Sequence, residues 1–438
     1  MEAGMSKSKA VYIVDGSRTP FLKARGKPGP FLASDLAVAA GRPLLLRQNF
    51  PVETIDEVIM GCIMPSENEA NIARIIALRL GLPDRIPAWT VQRNCASGMQ
   101  AIDCAYRNIL NGQSDIVLAG GTESMSHAPV LFNDLMVNWL SMFMSAKTTG
   151  QKIQAITKIR PAYFKPVIAL ICGLTDPIVG MSMGQTAEQI AYRFGISREQ
   201  MDEFSMASHQ RLAQAQDNGH LDEIEPVYDN MGNAYEHDDG LRRDSSMANL
   251  AKLKPYFDRK YGMVTPGNSA QITDGAAMLI LASEKAVKKH NLTVLAKITD
   301  SQWSGLDPKE MGLGPSYAME PILKRNKLSV DDIDYWEINE AFAGQVLGCI
   351  KAWEDKEYCQ QFLGHNKAIG TIAHEKLNID GGGVSLGHPV GASGARIVLH
   401  LAHVLKRNNA KRGIASLCIG GGQGGAMMIE TDESGAEE

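Results

Sequence analysis

One order of segments occurs twice along this chain, and that order restricts its possible folds more than any single motif does. "IDEVIMGC" at 55–62 is a short apolar run that reads as a buried strand. "CASGMQAI" at 95–102 opens a helical pattern, and "SDIVLAGGTES" at 114–124 is a strand that ends in glycines. The same order returns as "IDYWEINE" at 333–340, "GASGARIV" at 391–398 and "RGIASLCIGGGQGG" at 412–425. One match this short arises by chance. Three in one order indicate a duplicated α/β unit.

The chain has 438 residues, more than the ~250–300 at which one hydrophobic core stops growing. The expected layout is two similar α/β halves face to face. The first covers 7–127 and is completed by 256–288; the second covers 289–432. An inserted loop domain fills 128–255. Within 262–283, "GMVTPGNSAQITDGAAMLILAS" turns continuously apolar toward its end, as a strand buried on both faces does.

In this framework Cys95 becomes conspicuous. "AWTV" at 88–91 reads as a strand. Met99, Ile102, Tyr106, Ile109 and Leu110 then recur at helical steps, and the pattern stops at Asn111–Gly112. Cys95 therefore falls at a helix N-terminus, where free N–H groups and the helix dipole favour a thiolate over a thiol of ordinary pKa ~8.5. On this stretch alone, a buried structural cysteine fits equally well.

Three further residues belong with it. His388 lies in the rigid turn "GHP" ahead of the second repeat's helix, which suits a general base. Cys418 ends the second repeat's last strand, just before glycines, and Asn339 ends the strand "DYWEI". An amide there can hold a water or donate to a developing oxyanion. In a doubled sheet the strand ends and helix starts of both halves converge on one crevice. Cys62, Cys104, Cys172, Cys349 and Cys359 read as buried or incidental thiols, and His127 and His374 as core or surface residues.

Several function classes are disfavoured. The net charge of -5 argues against a general nucleic-acid surface. Seven cysteines at irregular spacing, with no CxxC pair and no Cys/His ligand spacing, argue against a zinc site. The start, "MEAGMSKSKAVYIV", has no apolar signal region, so the expected location is a reducing cytoplasm. No uncharged apolar run reaches the ~20 residues that span a bilayer.

Four motifs in order resemble the thiolase family: "NCASG" at 94–98, "NEAF" at 339–342, "GHP" at 387–389 and "CIGGG" at 418–422. The likeness extends from about residue 9 to 430 through "SRTPF" at 17–21, "GGTESMS" at 120–126, "MGQTAEQIA" at 183–191 and "LAKLKPYF" at 250–257. It implies a duplicated five-layered α-β-α-β-α fold with an inserted loop domain. The activity it implies is thiolytic cleavage of a 3-ketoacyl-CoA by CoA in fatty-acid β-oxidation, through an acyl-cysteine. Coenzyme A is then a substrate, and neither metal nor redox cofactor is required. The alternative within enzymes is condensation of two acetyl-CoA molecules. A rival of another class is a non-catalytic lipid-binding relative.

Carried over by position, Cys95 resembles the acyl-accepting nucleophile and His388 the base that activates it. Cys418 resembles the second acid/base, and Asn339 the residue that orients an oxyanion-hole water. The N–H groups of Cys95 and Gly420 resemble a second oxyanion hole, and Met183 and Met311 resemble acyl-pocket methionines. Ser182 stands where acetoacetyl-CoA-specific relatives often have histidine. Ala270 stands where many have a serine that touches pantetheine.

The 128–180 segment and the long connection before "GHP" look most like β-subunits of fatty-acid oxidation complexes. The implied partners are further copies of the chain, as a dimer or tetramer, or a subunit carrying hydratase and hydroxyacyl-CoA dehydrogenase activities. Residues 135–175 contain no Asp or Glu, but they hold Lys147, Lys152, Lys158, Arg160 and Lys165 among many apolar residues. This reads as a basic amphipathic hairpin for a partner, for CoA phosphates or for peripheral contact with the inner membrane surface. The plainer alternative is a solvated face with an ordinary core stripe.

Overall fold

The computed structural model describes residues 10–431; the outermost positions of the expected halves, 7–9 and 432, lie outside these. The first half contains strand β1 (Val11–Arg18), helix α1 (Ala33–Leu46), β2 (Glu57–Gly61), α2 (Ile72–Arg79), β3 (Ala88–Val91), α3 (Ser97–Leu110) and β4 (Ile116–Ser124). The inserted stretch includes helices α4 (Asp134–Ser145), α5 (Thr149–Ile156), α6 (Met183–Arg193) and α7 (Arg198–Asp217), after which β5 (Thr273–Ser283) returns to the first half. The second half contains β6 (Ala296–Gly305), α8 (Gly314–Asn326), β7 (Tyr335–Ile338), α9 (Ala343–Glu354), α10 (Val390–Arg407), β8 (Arg412–Ile419) and β9 (Gln423–Glu430).

The strands run in the order β7-β8-β9-β6-β1-β5-β4-β2-β3. The two half-sheets repeat one connectivity. In the first, β2 lies parallel to β4, and β5 runs antiparallel to β4 and β1. In the second, β7 lies parallel to β8, and β9 runs antiparallel to β8 and β6. A short antiparallel contact, Val11–Ile13 against Ala296–Ile298, joins them.

Strand periodicity sorts the side chains into layers. Val58 and Met60 of β2, with Leu118 and Ile280, pack outward against Leu36, Leu44, Ile72 and Ile76 of α1 and α2. Ile59, one residue between, points the other way with Val117, Ala119 and Leu279. That inner face meets Met99 and Ile102 of α3 and Ile397, Leu401 and Leu405 of α10. Ala415, Leu417 and Met427 of the second half-sheet close the central layer from its other side. Ile338, Ile414 and Met428 pack outward against Ile322, Val346 and Ile350 of α8 and α9. The result is helix, sheet, helix, sheet, helix. Because helices cover both faces of each sheet, the strands read as near-continuous apolar runs.

The central helices cross with their backbones in contact. A Cβ on Gly98 would lie 2.8 Å from Ala395 N and Gly391 O, and one on Gly394 would lie 2.6 Å from Met99 N. The contacts are reciprocal, 98 with 395 and 394 with 99, as a pseudo-twofold axis requires. Deeper in α10, His400 sits between Glu223 at 3.0 Å and Asp380 at 3.3 Å. Glu223 also pairs with Arg18 of β1 at 3.2 Å, so this buried network ties the helix to β1 and to the inserted stretch.

The 135–175 region departs from the plainer expectation. The Trp139 indole N–H donates to Ala155 O at 2.8 Å and joins α4 to α5. Met144, Ile153 and Phe164 are 81%, 58% and 62% exposed, so these apolar side chains form no stripe against the core.

Candidate active site

Cys95 lies in the tight turn between β3 and α3. Asn94 adopts φ 43°, a left-handed conformation that asparagine tolerates. Its side-chain amide donates to Gly420 O at 2.8 Å, across the interface between the halves. The Ser97 hydroxyl accepts from Arg93 N at 2.9 Å and donates to Asn94 O at 2.7 Å, which closes the turn. The Arg93 guanidinium stacks 4.3 Å from the ring centre of Trp303 in β6.

The Cys95 thiol differs from expectation. The N–H groups of Gly420 and of Cys95 itself point at the sulfur, but burial and the nearby negative charge of Glu123 push the thiol above its ordinary pKa. The physical reason is position. α3 starts at Ser97 with Ala96 as its cap, so Cys95 stands just outside the helix end, half-buried against the central layer. A thiol held protonated needs a base.

His388 supplies an imidazole in the right state. Gly387 has φ 104°, and a Cβ there would lie 2.2 Å from the Thr273 side chain, so only glycine fits. The Ser393 hydroxyl, one turn into α10, lies 2.6 Å from His388 Nδ1 and donates to Pro389 O at 3.1 Å. A hydroxyl has one proton, so Ser393 accepts from Nδ1–H. This hydrogen-bond network assigns the free lone pair to Nε2. Burial, reinforced by the Arg396 cation, lowers the pKa of His388 to about 4, leaving the ring neutral at physiological pH. Its Nε2 lies 3.5 Å from Asn339 Nδ2. Asn339 is fully buried, and its Oδ1 accepts no protein hydrogen bond.

Cys418 ends β8 in the interior. Its thiol is pushed well up, by burial first and then by Cys95 and Cys349, so it lies within electrostatic reach of Cys95. Gly421 and Gly422, with φ 92° and 75°, turn the chain into β9. Cys418 shares an apolar cluster with Met183, Met311, Val264, Ala341 and Phe342, so both expected pocket methionines border it. Ser182 caps α6 by accepting from Gln185 N. Ala270 donates its backbone N–H to Ala341 O at 2.9 Å, which ties 270 to the NEAF segment.

Residues 11–285 match the model of the thiolase N-terminal domain, and 292–431 match the thiolase C-terminal domain. The chain belongs to the thiolase family. It is 38% identical over 431 residues to bovine (Bos taurus) mitochondrial 3-ketoacyl-CoA thiolase, covering 97% of this chain and 99% of that protein. It is 36% identical over 423 residues to the mouse (Mus musculus) mitochondrial trifunctional enzyme subunit beta, covering 96% and 88%. The crystal structure of human mitochondrial 3-ketoacyl-CoA thiolase in complex with CoA matches with a TM-score of 0.83 at 36% identity, covering 97% and 98%.

In this thiolase-family chain, three residues at the site escaped sequence reasoning. Ser393 was signalled only by its match to Ser97 in the repeated "ASG". Glu123 is fully buried at the end of β4 and accepts from Ile63 N and Met64 N, each at 3.0 Å. Burial pushes its carboxyl up to about 7. Glu340 accepts from Ser208 Oγ at 2.7 Å and Asn378 Nδ2 at 2.8 Å, and burial raises it too. Sequence marks a glutamate as a surface residue by default; only the folded chain reveals it as buried.

Proposed function

We propose that this chain cleaves 3-ketoacyl-CoA with CoA to give acetyl-CoA and an acyl-CoA shortened by two carbons, as a step of fatty-acid β-oxidation. The observation that carries this reading is His388, whose Nδ1 is held at 2.6 Å by the Ser393 hydroxyl so that Nε2 keeps the lone pair, 3.5 Å from Asn339 Nδ2, in a segment packed at Gly391 against Gly98 of the Cys95 helix. Gly98 touches Gly391 at the helix crossing, and each catalytic residue lies three positions before one of these glycines.

His388 Nε2 takes the Cys95 proton, and the thiolate attacks the C3 ketone. The new alkoxide oxygen is stabilised by N–H donors. As the C2–C3 bond breaks, its electron pair leaves as the acetyl-CoA enolate, and Cys418 protonates C2. The acyl group remains on Cys95 as a thioester. The Cys418 thiolate then takes the proton of an incoming CoA thiol, and CoA attacks the acyl-Cys95 carbonyl. Cys95 departs as thiolate and recovers its proton from His388. Asn339 Nδ2 and His388 Nε2 form one oxyanion-binding pair, and the N–H groups of Cys95 and Gly420 form the other. The buried Cys418 thiol answers a chemical need, since it must be protonated at rest to act as the acid.

Mass spectrometry after incubation with an acyl-CoA tests the reading. A covalent acyl group on Cys95 is expected, and an unmodified protein would overturn it. Cys418→Ala should still be acylated but should lose proton exchange at the methyl group of acetyl-CoA. Turnover on a long 3-ketoacyl-CoA should exceed that on acetoacetyl-CoA, in keeping with Ser182 in place of a histidine.

The 135–175 region is proposed as an anionic-surface contact, because exposed apolar side chains alternate with five basic residues and no acidic ones. Flotation with anionic vesicles should be lost at high salt. The trifunctional-enzyme relative suggests that the partner is a subunit acting on the preceding β-oxidation intermediates. Co-purification as one complex of defined native mass tests that pairing.

A further inference from the structure

The segment carrying His388 is fastened at both ends by a buried carboxylate, one from each half of the molecule. At its start, Val384 N donates to Glu340 Oε2 at 3.2 Å, and Gly382 N donates to Ser208 Oγ at 3.2 Å, whose hydroxyl in turn donates to the same Glu340 oxygen. A Cβ on Gly382 would lie 2.5 Å from the Glu340 carboxyl carbon, so that strip fits against the acid only as glycine. At its end, Gly391 packs against the Glu123 carboxylate, which is itself held by Ile63 N and Met64 N. A Cβ on Gly391 would lie 2.7 Å from Glu123 Oε2. His388 lies between these two points. Among the described residues neither carboxylate forms an ion pair, and a buried carboxylate without a cation is costly. The two acids are also unrelated by the internal repeat: Glu340 matches Cys62, and Glu123 matches Ile419.

We propose that Glu123 and Glu340 are positioning residues that together seat the 382–391 segment, and with it His388, against Cys95. Glu340 accepts the Val384 N–H and Glu123 packs against Gly391, so the pair fixes both ends of the segment. Glu123 does a second thing: within the first half its charge acts on the Cys95 thiol. A packing role alone would leave the chemistry of Cys95 and His388 unchanged.

The proposal rests on the thiolase reading above, and the experiment separates the two. In the full-length protein, Glu123→Gln and Glu340→Gln are compared with wild type in steady-state thiolysis and in the pH dependence of Cys95 alkylation by iodoacetamide. Each variant should keep KM within about threefold while kcat falls about 10- to 100-fold, as a small misplacement of a catalytic group costs. The alkylation curve should shift along the pH axis in both variants, toward lower pH in Glu123→Gln. Unchanged kcat and alkylation curves, even with a lowered melting temperature, would overturn the proposal. Should the glutamine variants fail to fold, Ser208→Ala, which leaves both acids in place, should lower kcat about three- to tenfold; an unchanged kcat there overturns it. Alkylation needs no acyl substrate. A wild type that is inert toward 3-ketoacyl-CoA would therefore sink the functional reading while the alkylation curves still decide the clamp.

Discussion

The two halves share one scaffold and divide the chemistry unequally. With Met60 placed on Ile338 and Ser97 on Ser393, the second half's Asn339, His388 and Cys418 fall on Gly61, Gln92 and Thr122 of the first. In the other direction Cys95 falls on Gly391. The strand pairing supports this register, since Met60 faces Gly120 as Ile338 faces Ser416. Thr122 spends its hydroxyl on Ala33 O at 2.7 Å, a purely structural bond. In the proposed mechanism the first half thus contributes the nucleophile and the second contributes the base, the amide and the second thiol. A doubled scaffold yields one site because the pseudo-twofold axis passes between the two helix starts.

The most damaging way to break this division is to remove the first half's nucleophile. Cys95→Ser should lower kcat/KM by about 10^4-fold or more and abolish the covalent acyl adduct by mass spectrometry. Next, His388→Gln gives the second half the first half's residue. Steady-state turnover should fall about 10^2- to 10^4-fold, the usual worth of a general base. The same residue sharpens the comparison by pH. Because its folded pKa is about 4 against an ordinary 6.5, the imidazole stays neutral far into acid, and the acid limb of kcat/KM should lie near 4 rather than 6.5. The unfolded chain binds that proton first, so His388 also contributes a loss of stability as pH falls from 6.5 toward 4.

Asn339→Ala should cost about 10^2-fold in kcat, as loss of an oxyanion donor does, with little change in KM. The helix crossing is a symmetric feature and should break symmetrically. Gly98→Ala and Gly394→Ala each drive a methyl into backbone of the facing helix, and each should destabilise by about 1–3 kcal/mol in chemical denaturation. A large difference between the two would contradict the pseudo-twofold contact. The smallest effect comes from the matched serines. Ser393→Ala should lower kcat about tenfold and move the acid limb, because it releases the His388 tautomer. Ser97→Ala should cost about 1 kcal/mol of stability and leave the pH profile in place.

Much of this was legible in the residues because it is local. Strand runs, the amphipathic α3 and the glycine-flanked turns at His388 and Cys418 follow from periodicity and backbone chemistry. The protonation of Cys95 was misjudged from the same stretch. A helix dipole acts over one turn, whereas burial is set by everything packed around the sulfur. The lobe at 135–175 illustrates the opposite case: its lack of acids is plain in sequence, but whether its apolar residues pack inward could be decided only by where α4 and α5 lie.

The sequence alone determined the repeated strand–helix–strand order, the reactive residue types and the turns that present them, since each depends on neighbours a few positions away. The tertiary structure decided which groups meet and in what protonation state. Cys95 and His388 are 293 positions apart in number (388 minus 95), and Glu123 and Glu340 are 217 apart (340 minus 123). That such distant residues act on one segment, and the shifts in their pKa values, arise from desolvation and charge between packed elements, and those quantities exist only once distant parts of the chain have excluded water between them.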